Sequence, residues 1–155
     1  MAKTTFSGPV VSNNGFAVSG SGSVVQLAAE NTTLTFNDHA GRIVEVNDVD
    51  GVITLPSITS DTFGAKYTIY IGTNSTSGKV ITDGTDKFVG SVTVVGSTTM
   101  AFVPGAANDE LTFNNGVKGG KVGTLLEFTA LTTAQYLVQG VSIGSGTVET
   151  PFAGT

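Results

Sequence analysis

The side chains that most often perform acid–base or nucleophilic chemistry are scarce in this sequence. His39 is the only histidine and there is no cysteine, which excludes a site with several histidine ligands or with thiolate ligands. Ser145 lies between two glycines, but its segment lacks the Gly-x-Ser-x-Gly pattern and the following helix of a nucleophile elbow. The sequence therefore predicts a protein that is not an enzyme and that binds no cofactor.

Acidic residues occur in predicted turns, where their oxygens could in principle hold Ca²⁺. Asp48 and Asp50 are two positions apart and precede Gly51, but the loop is short and no bidentate Glu follows at the required distance. A tight turn is therefore predicted instead of a metal site, with Ca²⁺ left open as an alternative. The same interpretation applies to two other acidic pairs, Asp83 with Asp86 and Asp109 with Glu110.

Charge and aromatic patterning argue against nucleic acid and small-molecule ligands. Seven Lys and Arg stand against twelve Asp and Glu, giving a formal net charge of −5, and the basic residues are scattered, whereas binding to a phosphate backbone needs grouped cations. Gly119-Gly120-Lys121 lacks the longer pattern of a phosphate-binding loop. Nine Phe and three Tyr are spread along the chain, which favours core packing over a stacking platform.

The overall composition favours strands and turns. Only 12% of the residues are charged, against about 25% in an average domain, and good helix formers are few, so no helix is predicted. No apolar run approaches the roughly 18 residues of a membrane span. The N-terminus lacks the apolar region of a signal peptide, so the protein is expected to stay in the cytoplasm where it is made or to leave inside a larger assembly.

Residues 1–30 differ from the rest of the chain because glycines interrupt every short apolar run. Such a segment cannot form a core of its own. We expect an extended N-terminal arm whose apolar side chains are covered by another surface; a disordered tail, or an arm packed on its own domain, are the alternatives. The residues predicted to make this contact are Phe6, Pro9, Val10, Val11 and Phe16.

Residues 31–155 are predicted to form one all-β domain, an antiparallel sandwich or barrel, because short alternating runs are separated by turn residues. Strands are predicted at 33–36, 42–46, 52–55, 67–71, 79–82, 91–95, 98–103, 111–113, 124–129 and 134–143. Side chains on alternate positions should form the core. The predicted core includes Leu55, Ile69, Ile71, Phe102, Phe113 and Phe128.

Two stretches resemble capsid decoration proteins of tailed bacteriophages, also called cement or head-stabilising proteins. The first is TTFSGPVVSNNGF at residues 4–16, which is similar to the leader that precedes the β-domain of small virion proteins. The second combines DHAGRIVEV at 38–46, GVITLP at 51–56 and GAKYTIY at 64–70, and is similar to a module of decoration proteins and some fibres. Together they cover roughly the first hundred residues, and neither contains catalytic residues.

This resemblance implies a jelly-roll-like structural protein of the virion, made in the host cytoplasm and located on the capsid surface. Its partners would be the major capsid protein, on which the N-terminal arm lies, and further copies of the chain in a homotrimer. The alternative is a phage fibre or host-recognition (adhesin) domain, which would need an exposed aromatic or polar ligand site. A glycan hydrolase is disfavoured because the carboxylates lie in turns without aromatic neighbours.

Overall fold

The computed structural model of the chain describes residues 24–27, 31–132 and 134–154. They form a seven-stranded and a five-stranded sheet that share one apolar core, so the predicted all-β sandwich is confirmed. The strands are β1 Val24–Leu27, β2 Asn31–Thr33, β3 Ile43–Val46, β4 Val52–Thr54, β5 Lys66–Ile71, β6 Lys79–Ile81, β7 Lys87–Val95, β8 Thr99–Phe102, β9 Glu110–Thr112, β10 Leu125–Thr132, β11 Gln135–Ile143 and β12 Phe152–Ala153.

The first six strands wind as a coil through both sheets. β1, β3 and β5 are neighbours in the seven-stranded sheet, which has the order β1-β3-β5-β10-β11-β7-β8. β2, β4 and β6 are neighbours in the five-stranded sheet, of order β12-β9-β6-β4-β2. Every neighbouring pair within these two sets is parallel. Parallel neighbours need a crossover connection, and here each crossover contains a strand of the opposite sheet.

Both sheets are mixed, so the antiparallel arrangement expected from the sequence holds only for part of the structure. β10 pairs antiparallel with β5 and β11, and β8 pairs antiparallel with β7, but β11 and β7 are parallel. Alternation of apolar and polar residues shows which side chains face the core. It does not show the direction in which the neighbouring strand runs.

Several local predictions differ from the structure. The predicted strand at 33–36 is replaced by the end of β2 at Thr33 and a one-turn helix, α1, over Phe36–His39. Thr35 caps this helix, since its hydroxyl accepts a hydrogen bond from the amide of Asp38, and a 3-10 helix follows at Ser60–Thr62. The expectation of no helix is thus wrong at these two turns. No helix among the described residues has the length and apolar character needed to cross a membrane.

The core contains five of the six residues predicted for it. Phe102 differs: it packs against the core but is only partly buried. Phe102 lies on β8, the last strand of the seven-stranded sheet, where Met100 is 50% exposed. Because its ring is only partly buried, Phe102→Ala is expected to lower the free energy of unfolding less than the same substitution at a fully buried Phe. The residues that are buried as predicted are Leu55, Ile69, Ile71, Phe113 and Phe128.

Candidate interaction surface

The five residues predicted to contact a capsid, Phe6, Pro9, Val10, Val11 and Phe16, lie outside the described residues. The described part begins at β1, which is the outermost strand of the seven-stranded sheet and pairs with β3. Part of the predicted arm, Val24–Leu27, thus belongs to this sheet. β1 thus forms an edge of the sheet, where one row of backbone donors and acceptors faces away from the neighbouring strand.

The seven-stranded sheet carries exposed apolar side chains on the side that faces away from the core, which we call the outer face. Tyr70 pairs with Leu125, and Leu125 pairs with Val141, so these three residues form an apolar row across β5, β10 and β11. Leu125 is 46% exposed and Val141 is 44% exposed. Val24 and Ile43 pair with each other at the edge of the same face and are also exposed.

A polar row lies beside this apolar row and borders a shallow cavity of about 360 Å³. Glu127 Oε1 accepts a hydrogen bond from Gln139 Nε2 at 3.0 Å and lies 3.0 Å from Lys66 Nζ. The cavity brings together a carboxylate, an amide and a hydroxyl, which are groups that can orient a polar ligand. Its lining residues are Thr68, Leu125, Glu127, Gln139 and Gly140.

Gly140 is required by the close approach of β10 and β11 beneath this cavity. Its φ is +142°, a conformation that residues with a Cβ rarely adopt. A Cβ built at this position would lie 2.3 Å from the backbone oxygen of Leu125. The glycine therefore lets the two strands pair without displacing Leu125.

The five-stranded sheet presents a different surface. None of the large exposed apolar side chains of the described residues belongs to its five strands. Its outward side carries the ion pair of Lys79 and Glu110, whose Nζ and carboxylate oxygen are 3.0 Å apart. Among the described residues, the large exposed apolar side chains on strands thus lie on the seven-stranded sheet, and the two sheets differ in the polarity of their outward sides.

The acidic turns show no arrangement typical of a metal site. Within residues 24–27, 31–132 and 134–154, no three acidic, His or Cys side chains are grouped so that they could hold a metal ion. Asp48 accepts a hydrogen bond from the amide of Asp50 at 3.2 Å, as expected for a tight turn. Asp109 differs from its interpretation as a turn residue, because it is buried and lies 2.5 Å from Lys87 Nζ.

Asp83 organises the turn between β6 and β7. Its carboxylate accepts hydrogen bonds from the hydroxyl of Ser57, from the amide and hydroxyl of Thr85, and from the amide of Asp86. Partial burial disfavours the charged form of Asp83, but these hydrogen bonds outweigh it and hold the pKa of Asp83 well below its ordinary value. The turn therefore depends on an ionised carboxylate.

The pKa of Asp86, in the same turn, is shifted in the opposite direction. It is buried, and this burial raises the pKa of its carboxyl group, with a smaller contribution from the nearby charge of Asp83. A hydrogen bond from the amide of Ile58 opposes the rise. Burial also raises the pKa of Tyr136, whose hydroxyl donates to the carbonyl of Pro56 at 2.7 Å. These contacts join the turn to the core.

We expect Asp83→Ala to lower the free energy of unfolding by about 1 kcal/mol at neutral pH, a value kept small because the carboxylate is exposed. Since its pKa is lowered in the folded state, its stabilisation is present above the unfolded value of 3.8 and is lost as the pH falls below it. The difference between wild type and variant, measured by urea unfolding, should therefore shrink on acidification.

Asp48→Ala and Asp50→Ala serve as controls for Asp83→Ala, since Asp48 accepts one weak hydrogen bond instead of four. Both should change the free energy of unfolding by less than about 0.5 kcal/mol. If either variant melts the domain, and if added Ca²⁺ restores a chelated wild type, the interpretation of this loop as a plain turn is wrong.

His39 and the glycine pair Gly119–Gly120, which were considered for catalysis and phosphate binding, have structural roles. His39 Nδ1 accepts a hydrogen bond from the amide of Thr35 at 2.9 Å, so the imidazole helps to cap α1. Gly119 and Gly120 have φ values of +82° and +89°, and a Cβ on Gly120 would lie 2.4 Å from that of Phe113. The glycine pair of the considered phosphate loop is thus required by backbone conformation and packing.

The apolar row on the outer face was missed by sequence reasoning. Alternation in Tyr67, Ile69 and Ile71 indicated the buried side of β5, but Leu125 and Val141 lie far apart in sequence and their pairing depends on the register of β10 with β11. Comparisons of the chain with protein-family models, with curated proteins and with solved structures give no match.

Proposed function

We propose that this chain is a structural, non-enzymatic protein of a phage virion that binds the outer surface of the capsid as a decoration or cement protein and stabilises the head. The resemblance of residues 4–16 and of the module at 38–70 to such proteins is the origin of this proposal. Its partners would be the major capsid protein and two further copies of the chain in a homotrimer.

The observation that carries the proposal is the composition of the leader, beside an apolar core that the structure describes between Leu34 and Phe152. The described part of the chain begins at β1, at the edge of the seven-stranded sheet. Phe6 and Phe16 stand in a leader whose glycines interrupt every short apolar run, and a segment of this composition needs another surface to cover its apolar side chains. Extended segments of this kind bind by adding a strand or filling grooves.

The proposal is tested by mixing the purified protein with phage heads assembled without it and sedimenting the heads. A decoration protein should saturate the heads at copies on the order of hundreds, since it occupies every equivalent position of the symmetric lattice. The saturated heads should also resist heat or chelators better than bare heads. Binding of a few copies only, or no binding, contradicts the proposal.

A fibre or host-recognition domain is the second candidate, and the cavity on the outer face is the observation that favours it. Its carboxylate, amide and hydroxyl groups are suited to a sugar, and Tyr70 lies in the neighbouring row. This candidate is favoured over the decoration protein if the protein binds host cells or their surface glycans and does not bind phage heads. The binding to cells or glycans should then be lost in Gln139→Ala.

A further inference from the structure

Seven of the large exposed apolar side chains lie on strands of the seven-stranded sheet. Met100 pairs with the buried Val94, and Leu131 lies at the irregular end of β10. The other five point away from the core, at Val24, Ile43, Val95, Leu125 and Val141. Apolar side chains concentrated on one surface mark a site of interaction more often than scattered ones do. We infer that copies of this chain pack against one another through this outer face. The inference goes beyond the proposed function, because a face that packs on itself joins two copies about a two-fold axis, whereas the proposed homotrimer needs contacts between two different surfaces.

The charges of the outer face are compatible with an identical partner. In its two central rows the charged residues are Glu45 and Glu127. Glu45 accepts a hydrogen bond from Gln26 Nε2 at 2.9 Å, and Glu127 is bonded to Lys66 and Gln139. A face whose carboxylates are already bonded has little charge with which to repel a second copy, although the chain carries a net charge of −5.

The size of the face is sufficient for a stable interface. Seven strands at a spacing of about 4.8 Å, with central strands of eight or nine residues rising about 3.3 Å per residue, give a surface of roughly 700 Å² when the short edge strands are allowed for. Stable interfaces bury about 800 Å² on each partner. The outer face therefore matches what a second copy needs to bury.

The shape of the outer face is also complementary to the same face of a second copy. Leu125 and Val141 form a ridge directly beside the cavity of about 360 Å³, which is large enough to receive an apolar side chain. The same face on two copies supplies both the ridge and the hollow, and such self-complementarity is the property of a two-fold interface between two copies.

Sedimentation of the purified protein tests the inference without any capsid. Wild type should self-associate at micromolar concentrations, and the double variant Leu125→Thr/Val141→Thr should self-associate at least about tenfold more weakly, since central apolar contacts dominate interfaces. Threonine keeps the preference for strands, so circular dichroism and the melting temperature should confirm that the variant is folded.

The matched control is Val49→Thr/Met100→Thr. Val49 is 44% exposed and Met100 is 50% exposed, close to the values of Leu125 and Val141, but both lie off the outer face. This control should associate like wild type. If it weakens association as strongly as Leu125→Thr/Val141→Thr, the surface is assigned wrongly.

Cysteine labelling gives a second measurement, because the natural chain has no cysteine. Val141→Cys and Val49→Cys have equal exposure in one copy, 44% each, so their rates of alkylation should differ only where another chain covers position 141. We expect slow labelling of Val141→Cys at high concentration and rates similar to those of Val49→Cys on dilution. Protection that persists on dilution means that residues of the same chain cover the face, which overturns the inference.

The experimental result that overturns this inference differs from the result that overturns the proposed function. A wild type that remains monomeric at roughly 100 µM, well above the micromolar range in which association is expected, overturns the inference. If that monomer still saturates phage heads, the decoration function stands without the self-association surface. If the protein associates through Leu125 and Val141 but binds no phage head, the inference is supported and the proposed function is contradicted.

Discussion

Removal of residues 2–20 is expected to leave a folded β-sandwich with nearly unchanged thermal stability but with binding to phage heads weakened by about 100-fold or more. The deletion ends before β1, so the pairing of Val24–Leu27 with β3 is kept. The buried apolar residues of the described part, from Leu34 to Phe152, are all retained. Binding should be measured by sedimentation of heads with increasing protein, and stability by thermal unfolding.

The physical reason for this loss is the set of apolar side chains on the leader. Burial of the predicted contact residues on the shell has to exceed an ordering cost of about 1–2 kcal/mol for each backbone residue. Three linked leaders in a trimer make this possible, because binding of the first raises the effective concentration of the others. Phe6→Ala or Phe16→Ala should therefore reproduce part of the loss.

The control for these leader variants is Ser12→Ala, which removes no apolar surface and should bind like wild type. If the shortened protein still saturates heads at wild-type concentrations, the leader is not a clamp. The contact with the shell would then lie on the β-domain, and the five predicted contact residues would have no role in it.

The β-strands could be predicted from sequence largely because each strand has one buried side. In β5, Tyr67, Ile69 and Ile71 are buried while Thr68 and Tyr70 are not, and alternation of this kind is visible in one sequence. The parallel coil of β1 to β6 could not be predicted in the same way. The alternation in β3 and β5 is the same whether these strands run parallel or antiparallel.

The two short elements that the sequence analysis missed, β1 and α1, also depend on contacts that one segment does not show. β1 was missed because Val24–Leu27 is a short run next to glycines, and its place in the sheet comes from pairing with β3. α1 was missed because Phe36–His39 is a single turn, held by the hydroxyl of Thr35 and the imidazole of His39. One capping residue can decide the conformation of four positions, of which only Phe36 belonged to the strand predicted at 33–36.

The apolar row of the outer face depends on information that no single segment contains. Tyr70, Leu125 and Val141 become neighbours through the register of three strands, and no element of the described part of the chain covers them on that side. Leu125 in isolation would be assigned to the core by its residue type. The tertiary structure was needed to distinguish it from Leu126, which is fully buried beside it.

Phe128→Ala is expected to lower the free energy of unfolding by about 3–5 kcal/mol, the largest stability effect that we predict for a single substitution. Phe128 is fully buried on β10, at the centre of the seven-stranded sheet. Its ring packs against that of Phe88, with centroids 5.6 Å apart. β5 and β11 pair with its backbone on both sides, so the surrounding structure has little freedom to move into the space that the removed ring leaves. Urea unfolding of both proteins measures the difference.

Phe102→Ala is the matched control, because it removes the same ring from a partly buried position. β8 has β7 on one side only, so the ring of Phe102 loses fewer contacts and the strand can shift toward the space that the ring leaves. We expect a loss of about 1–2 kcal/mol, clearly smaller than that of Phe128→Ala. Equal losses in the two variants would mean that the open side of β8 is covered in solution. Measuring Phe102→Ala at low and high protein concentration would then show whether the cover is a second copy, since only stabilisation by association grows with concentration.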